Sequence, residues 1–377
     1  MNKRPIVFLW ENFGPYHVDR VEAVIDRVGD SRKVVGFELV ARSPEYDWDA
    51  SSSPRFEKHT VRAYGEPLNA WRDFWALLGF TFRVGRGEYF LCHYDMPAIF
   101  LLAWWLRLSG SRAYTMFESK FDDRPRRVGI EFMKAVAFWP YAGVLYGGTR
   151  TRDYLRFLGL PETRLQPGYD TISVTRTRKL AAAEIAPAGV PYHQRKLVSV
   201  ARLLPKKNLH TLLRSYALYR ETDPAPRALH VLGSGPLEAE LRALADTLGV
   251  TESVIFAGFV QSDAVARTLA SALALLLPSI EEQFGLVVIE AQALGLPVIV
   301  SDNVGARDEL VQSQVNGYVL EPANIEGIAA AMTDIATDER LWQQMSRRSQ
   351  DFVALGDTPR FAEGVLALMA TAEGGGR

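Results

Sequence analysis

A single cysteine in 377 residues, Cys92, has no partner within the chain, so the fold cannot depend on an internal disulfide or on an oxidising compartment. Long hydrophobic runs are missing as well. The most apolar stretch, 97–108 (PAIFLLAWWLRL), falls well short of the ~20 residues that cross a bilayer, and Arg112 follows it closely. The first apolar run, Ile6 to Trp10, is broken by Glu11 before a secretory signal core could form. A chain with no membrane span, no secretion signal and a cytoplasmic location is expected. Neither sign of charge dominates, with 43 Lys+Arg against 44 Asp+Glu, and no nucleic-acid partner is expected. Absent too are a G-x-G-x-x-G dinucleotide fingerprint, a cluster of metal-ligand residues and a carboxylate that stands out as a nucleophile.

What is present suits a globular protein: 48% hydrophobic and 23% charged residues over a length that favours two domains. Short Val/Ile/Leu/Phe runs alternate with longer helical patterns, the signature of parallel sheets wrapped by helices, so the expected fold class is α/β with two Rossmann-like domains. Strands are expected at 5–10, 34–40, 55–61, 88–93, 112–117 and 143–146, then at 196–200, 228–232, 254–257, 273–277 and 298–300. The strand pattern lapses between the two sets. The expected division is therefore an N-terminal domain 1–175, a linker 176–195, a C-terminal domain 196–356, and a terminal helix and tail over 357–377. Cations outnumber acids in residues 1–180 and the reverse holds after them, so a large anion would prefer the N-terminal half, helped by Arg124, Arg126 and Arg127. Undirected drift of charge between domains explains the asymmetry equally well.

The segment 278–301 (PSIEEQFGLVVIEAQALGLPVIVS) runs strand, turn, helix, strand. Ligands of open α/β sheets gather at the carboxyl ends of such strands. The turn 282–285 leads into a helix expected over 286–294, so free N–H groups at Gly285, Leu286 and Val287 point to one spot that suits a phosphate. Glu282 and Glu290 can face the same crevice, and carboxylates, which only accept hydrogen bonds, suit vicinal hydroxyls of a sugar. A helix-start acid and a solvated surface acid are the bland alternatives. After the strand at 196–200, Arg202 and Lys207 offer a planar fork and a point charge that together suit a diphosphate, although a basic loop is the commoner meaning of such spacing. Gly233-Ser234-Gly235 and Gly258-Phe259-Val260 follow two further strands, where backbone could approach a base or simply turn.

The joint order of these elements over Val198 to Leu320 resembles the donor domain of glycosyltransferase family 4, which is retaining and has the GT-B fold. Its marks here are V-x-R-L-x3-K-N, G-x-G-P-L, F-x-G-F, E-x-F-G-L-V-x-x-E, G-x-P-V-I and V-N-G-Y-V-L. The resemblance implies a nucleoside-diphosphate sugar donor, UDP- or GDP-linked, with Glu282, Phe284 and Gly285 at the transferred sugar, Glu290 at the ribose, Arg202 and Lys207 on the diphosphate, and the base near Gly233, Gly258, Phe259 and Val260. It implies front-face attack with neither protein nucleophile, cofactor nor metal. Ala201 and Gln283 stand where the family usually or often has glycine, which leaves donor identity open.

In the N-terminal half the first strand runs into Glu11–His17, where Gly14 resembles the family's glycine loop, or is a plain turn. Tyr16, His17 and Glu118 are acceptor candidates, and His93 is a candidate for the catalytic cleft. Asp122-Asp123, flanked by cations, is expected to be a solvated loop rather than a metal site. Aromatic and basic residues interleave through 71–86 and 104–107, as in a core stripe or as in a surface near lipid headgroups; the latter would go with a lipid-linked hydroxyl acceptor and a peripheral place on the inner membrane face. A sugar-nucleotide epimerase and a silent nucleotide-sugar-binding protein are the competing functions.

Overall fold

The structure is a computed structural model that describes residues 3–41, 52–63, 66, 69–123 and 125–374. Arg124 and the last three residues of the expected tail lie outside the described residues. The chain divides into one unit of residues 1–171 with 358–377 and another of 172–357.

The first unit opens with β1 (Ile6–Trp10), α1 (Pro15–Val28), β2 (Val34–Val40), β3 (Glu57–Arg62) and α2 (Ala70–Val84). It continues with β4 (Glu88–Leu91), α3 (Pro97–Leu108), β5 (Arg112–Phe117), α4 (Val128–Ala137), β6 (Gly143–Tyr146), α5 (Thr149–Phe157) and β7 (Leu165–Pro167). The seven strands pair in parallel in the order β3-β2-β1-β4-β5-β6-β7. Helices cover both faces of such a sheet, so its inner strands are apolar throughout, as β1 is. One face packs Leu77, Leu102, Leu106, Phe138 and Leu155, from the layer α2 to α5. The other packs Val21 and Val24 of α1.

The second unit begins with α6 (Val174–Ala181), β8 (Lys196–Val200), α7 (Leu209–Thr222), β9 (Leu229–Leu232), α8 (Glu238–Thr247), β10 (Val254–Gly258) and α9 (Ser262–Ala270). Then come β11 (Ala272–Leu277), α10 (Val287–Ala293), β12 (Val298–Ser301), α11 (Arg307–Leu310), β13 (Gly317–Leu320), α12 (Ile325–Thr337) and α13 (Glu339–Phe352). Its sheet is also parallel, in the order β10-β9-β8-β11-β12-β13. The last helix, α14 (Thr358–Gly374), rejoins the first unit, where Phe361, Val365 and Leu368 pack with α1 on the second face of that sheet. Two glycines bring it close. A Cβ on Gly364 would lie 2.3 Å from the carbonyl oxygen of Pro167, and one on Gly143 would lie 2.7 Å from Leu368.

The expected linker at 176–195 is a packed part of the second unit. Its first residues lie in α6, and buried Arg195 donates to the carbonyls of Ala188 (2.6 Å), Val190 (2.9 Å), Ala270 (3.2 Å) and Ala272 (2.9 Å). Charge in that segment is turned inward to satisfy backbone, which mimics a solvated connector in a sequence. Two strands were not expected, β7 and β13: the first is only Leu-Gln-Pro, and the second is four residues long, directly after a turn at 314–316.

Candidate active site

Strand order reverses direction between β1 and β4 in one sheet and between β8 and β11 in the other. The loops leaving the carboxyl ends of such a pair open a crevice, the usual ligand position in doubly wound sheets. The residues singled out from sequence fall largely on these four loops.

In the second unit, β8 ends at Val200 and β11 at Leu277, and Asn208 ties the loops together. It takes a left-handed φ of 57°, and its side-chain amide donates to the carbonyls of Pro278 (3.0 Å) and Pro322 (2.7 Å). The N–H of Ile280 in turn donates to the Lys206 carbonyl at 2.8 Å. With both backbones held, the Lys207 ammonium meets the Glu282 carboxylate in a close ion pair, both side chains partly shielded from solvent. Arg202 is exposed on the same loop. Its loop is gripped from behind: the N–H of Leu203 donates to Ser234 at 2.9 Å, and Cβ atoms on Gly233 and Gly235 would strike the carbonyls of Ala201 (2.0 Å) and Leu203 (2.6 Å). The glycines of G-x-G-P-L thus admit the chain's own backbone. The Gly233 N–H is occupied by the Gly258 carbonyl at 2.8 Å, so it cannot serve as a donor to a base. Phe259 is exposed and Val260 half-buried beyond it.

The turn into α10 is clamped by the segment after β12. Gly305 and Ala306 donate to the carbonyls of Glu282 (3.2 Å) and Phe284 (2.8 Å), and Gly285 has φ 96°, where a side chain would be strained. Phe284 is buried beneath the turn. The helix starts at Val287, one residue later than expected, and Gly285, Leu286 and Val287 form its first, amide-rich turn. Glu290 is 7% exposed, which removes the reading of a solvated surface acid.

In the first unit, the N–H of Phe13 is held by the buried Glu38 carboxylate at 2.9 Å, fixing the loop after β1. Gly14 has φ −87°, open to any residue, so its backbone conformation does not itself require glycine. Its N–H donates to His17 Nδ1 at 3.0 Å, which places the imidazole proton on Nε2, and His17 stacks on Trp10 with ring centroids 4.6 Å apart. Burial, then the Arg20 charge and His93, lower the His17 pKa well below the ordinary value, so this ring is neutral. Tyr16 precedes it, half-buried, in the first turn of α1.

His93 was expected at a strand end, but β4 stops at Leu91, and His93 sits in the following turn with a left-handed φ of 58°. The Cys92 sulfur, with lesser help from Glu11 and Asp95 and against burial, raises its pKa to about 9. The two rings are thus pushed in opposite directions, His17 towards the neutral form and His93 towards the cation. Behind them is a buried polar group that sequence reasoning missed, made of Arg20, Tyr169 and Asp170. Tyr169 accepts from Trp10 Nε1 at 3.2 Å and lies 3.4 Å from the Cys92 sulfur; Arg20 covers its ring at 5.0 Å and lies 3.8 Å from Asp170. Burial, then Glu118, raises the Asp170 pKa well above the carboxylate range, and Glu118 shares a hydrogen bond with it. The only sequence signal was Gly-Tyr-Asp after the short strand β7.

Asp122 is exposed, as a solvated loop requires, but the Asp123 side chain is not. Asp123 is shielded and ion-paired to Lys120 at 3.3 Å, and Asp122 is held by Arg150 at 2.8 Å. No group of three or more His, Cys, Asp or Glu side chains able to hold a metal occurs among the described residues.

Two doubly wound parallel sheets with loops gathered at their switch points define the GT-B fold. Sucrose-phosphate synthase from Thermosynechococcus elongatus shares it, aligning with 99% of this chain and 100% of its own at a TM-score of 0.75 and 18% identity. Residues 183–352, which carry every donor-side motif above as far as Leu320, match the model of the family described as glycosyl transferases group 1. An uncharacterized glycosyltransferase of Methanocaldococcus jannaschii is 35% identical over 150 residues, 40% of this chain and 38% of its own. A GDP-mannose-dependent alpha-(1-6)-phosphatidylinositol monomannoside mannosyltransferase of Mycobacterium tuberculosis is 30% identical over 197 residues, 50% of each chain. The chain thus matches half or less of the length of these relatives.

Proposed function

We propose that the protein is a retaining glycosyltransferase that moves a sugar from a nucleoside-diphosphate sugar, UDP- or GDP-linked, to a hydroxyl acceptor. The observation that carries the proposal is the meeting of Lys207 with Glu282 at the β8/β11 switch point. A donor sugar presents hydroxyls and an anionic phosphate on adjacent atoms, and a carboxylate beside an ammonium complements that pair. In the transfer, the bond from the anomeric carbon to the diphosphate breaks, a bond from that carbon to the acceptor oxygen forms, and the acceptor proton passes to the departing phosphate. Charge grows on the diphosphate as it leaves, and Arg202, Lys207 and the first-turn amides of α10 are the groups assigned to stabilise it. Glu290 is assigned to the ribose, and the backbone near Gly258, Phe259 and Val260 to the base. His93, His17, Tyr16 and Glu118 are assigned to the acceptor side, and no metal is assigned. The name of the mycobacterial relative, a phosphatidylinositol monomannoside mannosyltransferase, supports a lipid-linked acceptor here.

The two carboxylates separate this scheme from simple nucleotide binding. Glu290→Gln replaces a charged acceptor at the ribose, so calorimetry should find the nucleoside diphosphate bound about tenfold more weakly. Glu282→Gln should leave that affinity intact and lower kcat by about 100-fold, because its contact is with the sugar undergoing transfer. Equal loss of diphosphate affinity in both variants would refute the division.

A further inference from the structure

The helix α4 is built inside out. On an ordinary surface helix the apolar stripe faces the body and the charges face water. Here Glu131 is buried; it accepts from the Tyr154 hydroxyl and lies 3.2 Å from Lys134 Nζ and 3.7 Å from Arg126. Lys134 and Arg126 also donate to that hydroxyl, at 2.8 and 3.1 Å. The charged stripe is thereby fixed inward, ending at buried Phe138. Outward project Val128 (89% exposed), Phe132 (70%), Met133 (64%) and Trp139 (70%). Such a row, on one short helix, leaves in water the residues that would ordinarily form its contact with a core.

The apolar character extends through the layer. Trp71, Trp75 and Phe82 are exposed on α2 at spacings that share one helix face, so the stripe at 71–86 is not simply core. Phe82 touches Trp105 of α3 at 5.5 Å, Arg107 of α3 donates to the Trp139 carbonyl at 3.2 Å, and Phe157 of α5 meets Phe121 at 5.1 Å. The charge that borders α4 is positive: Arg127 is exposed before its first turn, Arg107 is exposed beside its end, and its own carboxylate is turned inward.

We propose that α4 with Trp139 docks the protein on the surface of an anionic lipid bilayer. Phenylalanine, methionine and valine enter the acyl boundary, Trp139 sits at headgroup level, and Arg107 and Arg127 pair with lipid phosphates. A carboxylate on the outward face would oppose this, and the helix has none there. The surface deepens the reading of a lipid-linked acceptor but does not depend on the donor assignment.

The test is co-sedimentation of the full chain with vesicles of phosphatidylcholine alone and with about one part phosphatidylglycerol in three. Wild type should pellet with the anionic vesicles and much less with the neutral ones. Phe132→Ser/Met133→Ser/Trp139→Ser should lower partitioning by roughly tenfold or more, and Arg107→Glu/Arg127→Glu should abolish the preference for anionic lipid, with melting temperatures unchanged. If the triple variant melts early, Val128→Asp, at a position nearly all in solvent, should reduce binding in its place. Wild type remaining in the supernatant, variants binding as well as wild type, or a dimer that forms through this face instead would overturn the proposal. Nucleoside diphosphate affinity, measured on the same samples, should be unchanged, which separates failure here from failure of the donor scheme.

Discussion

At the residue scale, two histidines that look alike in sequence are driven to opposite charge. His17 is half-buried, is influenced by the Arg20 charge and uses Nδ1 to accept from Gly14, all of which favour its neutral form. His93 next to Cys92 has its pKa raised to about 9. Because the folded value exceeds the unfolded ~6.5, the stabilisation is complete below that value and is lost as pH rises from there through about 9. The difference in unfolding free energy between wild type and His93→Gln should therefore shrink by about 1–3 kcal/mol between roughly pH 6 and 9.5, read from denaturant curves. A constant difference would contradict the assignment. Since Cys92 is the largest cause, Cys92→Ser should move the His93 titration downward in an NMR pH series. Position was readable for His93 and charge was not: Cys92 and Asp95 stand beside it in the chain, but only the fold brings Glu11 towards the ring and sets how far burial opposes them. Asp170 was hidden for a similar reason, since nothing near it in the chain announces Arg20 or Glu118.

At the scale of elements, most strands could be located from apolar runs, because parallel strands covered on both faces are apolar along their length, whereas the edge strand β3 (EKHTVR) is largely polar. The misplaced parts are those where polar side chains serve backbone. Arg195 made its segment resemble a solvated linker, yet its guanidinium satisfies four carbonyls in the second unit. Arg195→Met should lower stability by about 3 kcal/mol or more, seen as an earlier urea midpoint, because those carbonyls lose their donor in a dry environment. The amphipathic pattern of α14 announced a helix, but not that it would return to the first sheet. Gly364→Val should cost about 1–3 kcal/mol, since its Cβ would start 2.3 Å from the Pro167 carbonyl and the helix would have to lift. An unchanged melting temperature in that variant would mean that α14 does not lie on β7. In the candidate site, the order of Arg202, Lys207, Glu282 and Glu290 along the chain was legible, as was their place after strands. The ion pair between Lys207 and Glu282 was not, because it depends on Asn208 tying the β8 loop to the end of β11.

At the scale of the molecule, each unit gathers its functional candidates at its own switch point, and the second carries the family match. The first unit adds an outward apolar helix bordered by arginines, consistent with the excess of cations in the first half of the sequence. No helix among the described residues is long and apolar enough to cross a membrane. Activity in excess EDTA should match activity without it, because the groups assigned to the leaving diphosphate are cations and amides of the chain; loss restored by Mg²⁺ or Mn²⁺ would contradict that. The central claim is that the second unit holds a nucleoside diphosphate through Arg202 and Lys207. Calorimetric titration of the full chain with UDP and with GDP, repeated on Lys207→Ala, tests it most directly. Saturable binding of one nucleotide, weakened at least about tenfold by the substitution, is the predicted result. Absence of binding by both nucleotides, or equal affinity in wild type and variant, would contradict it.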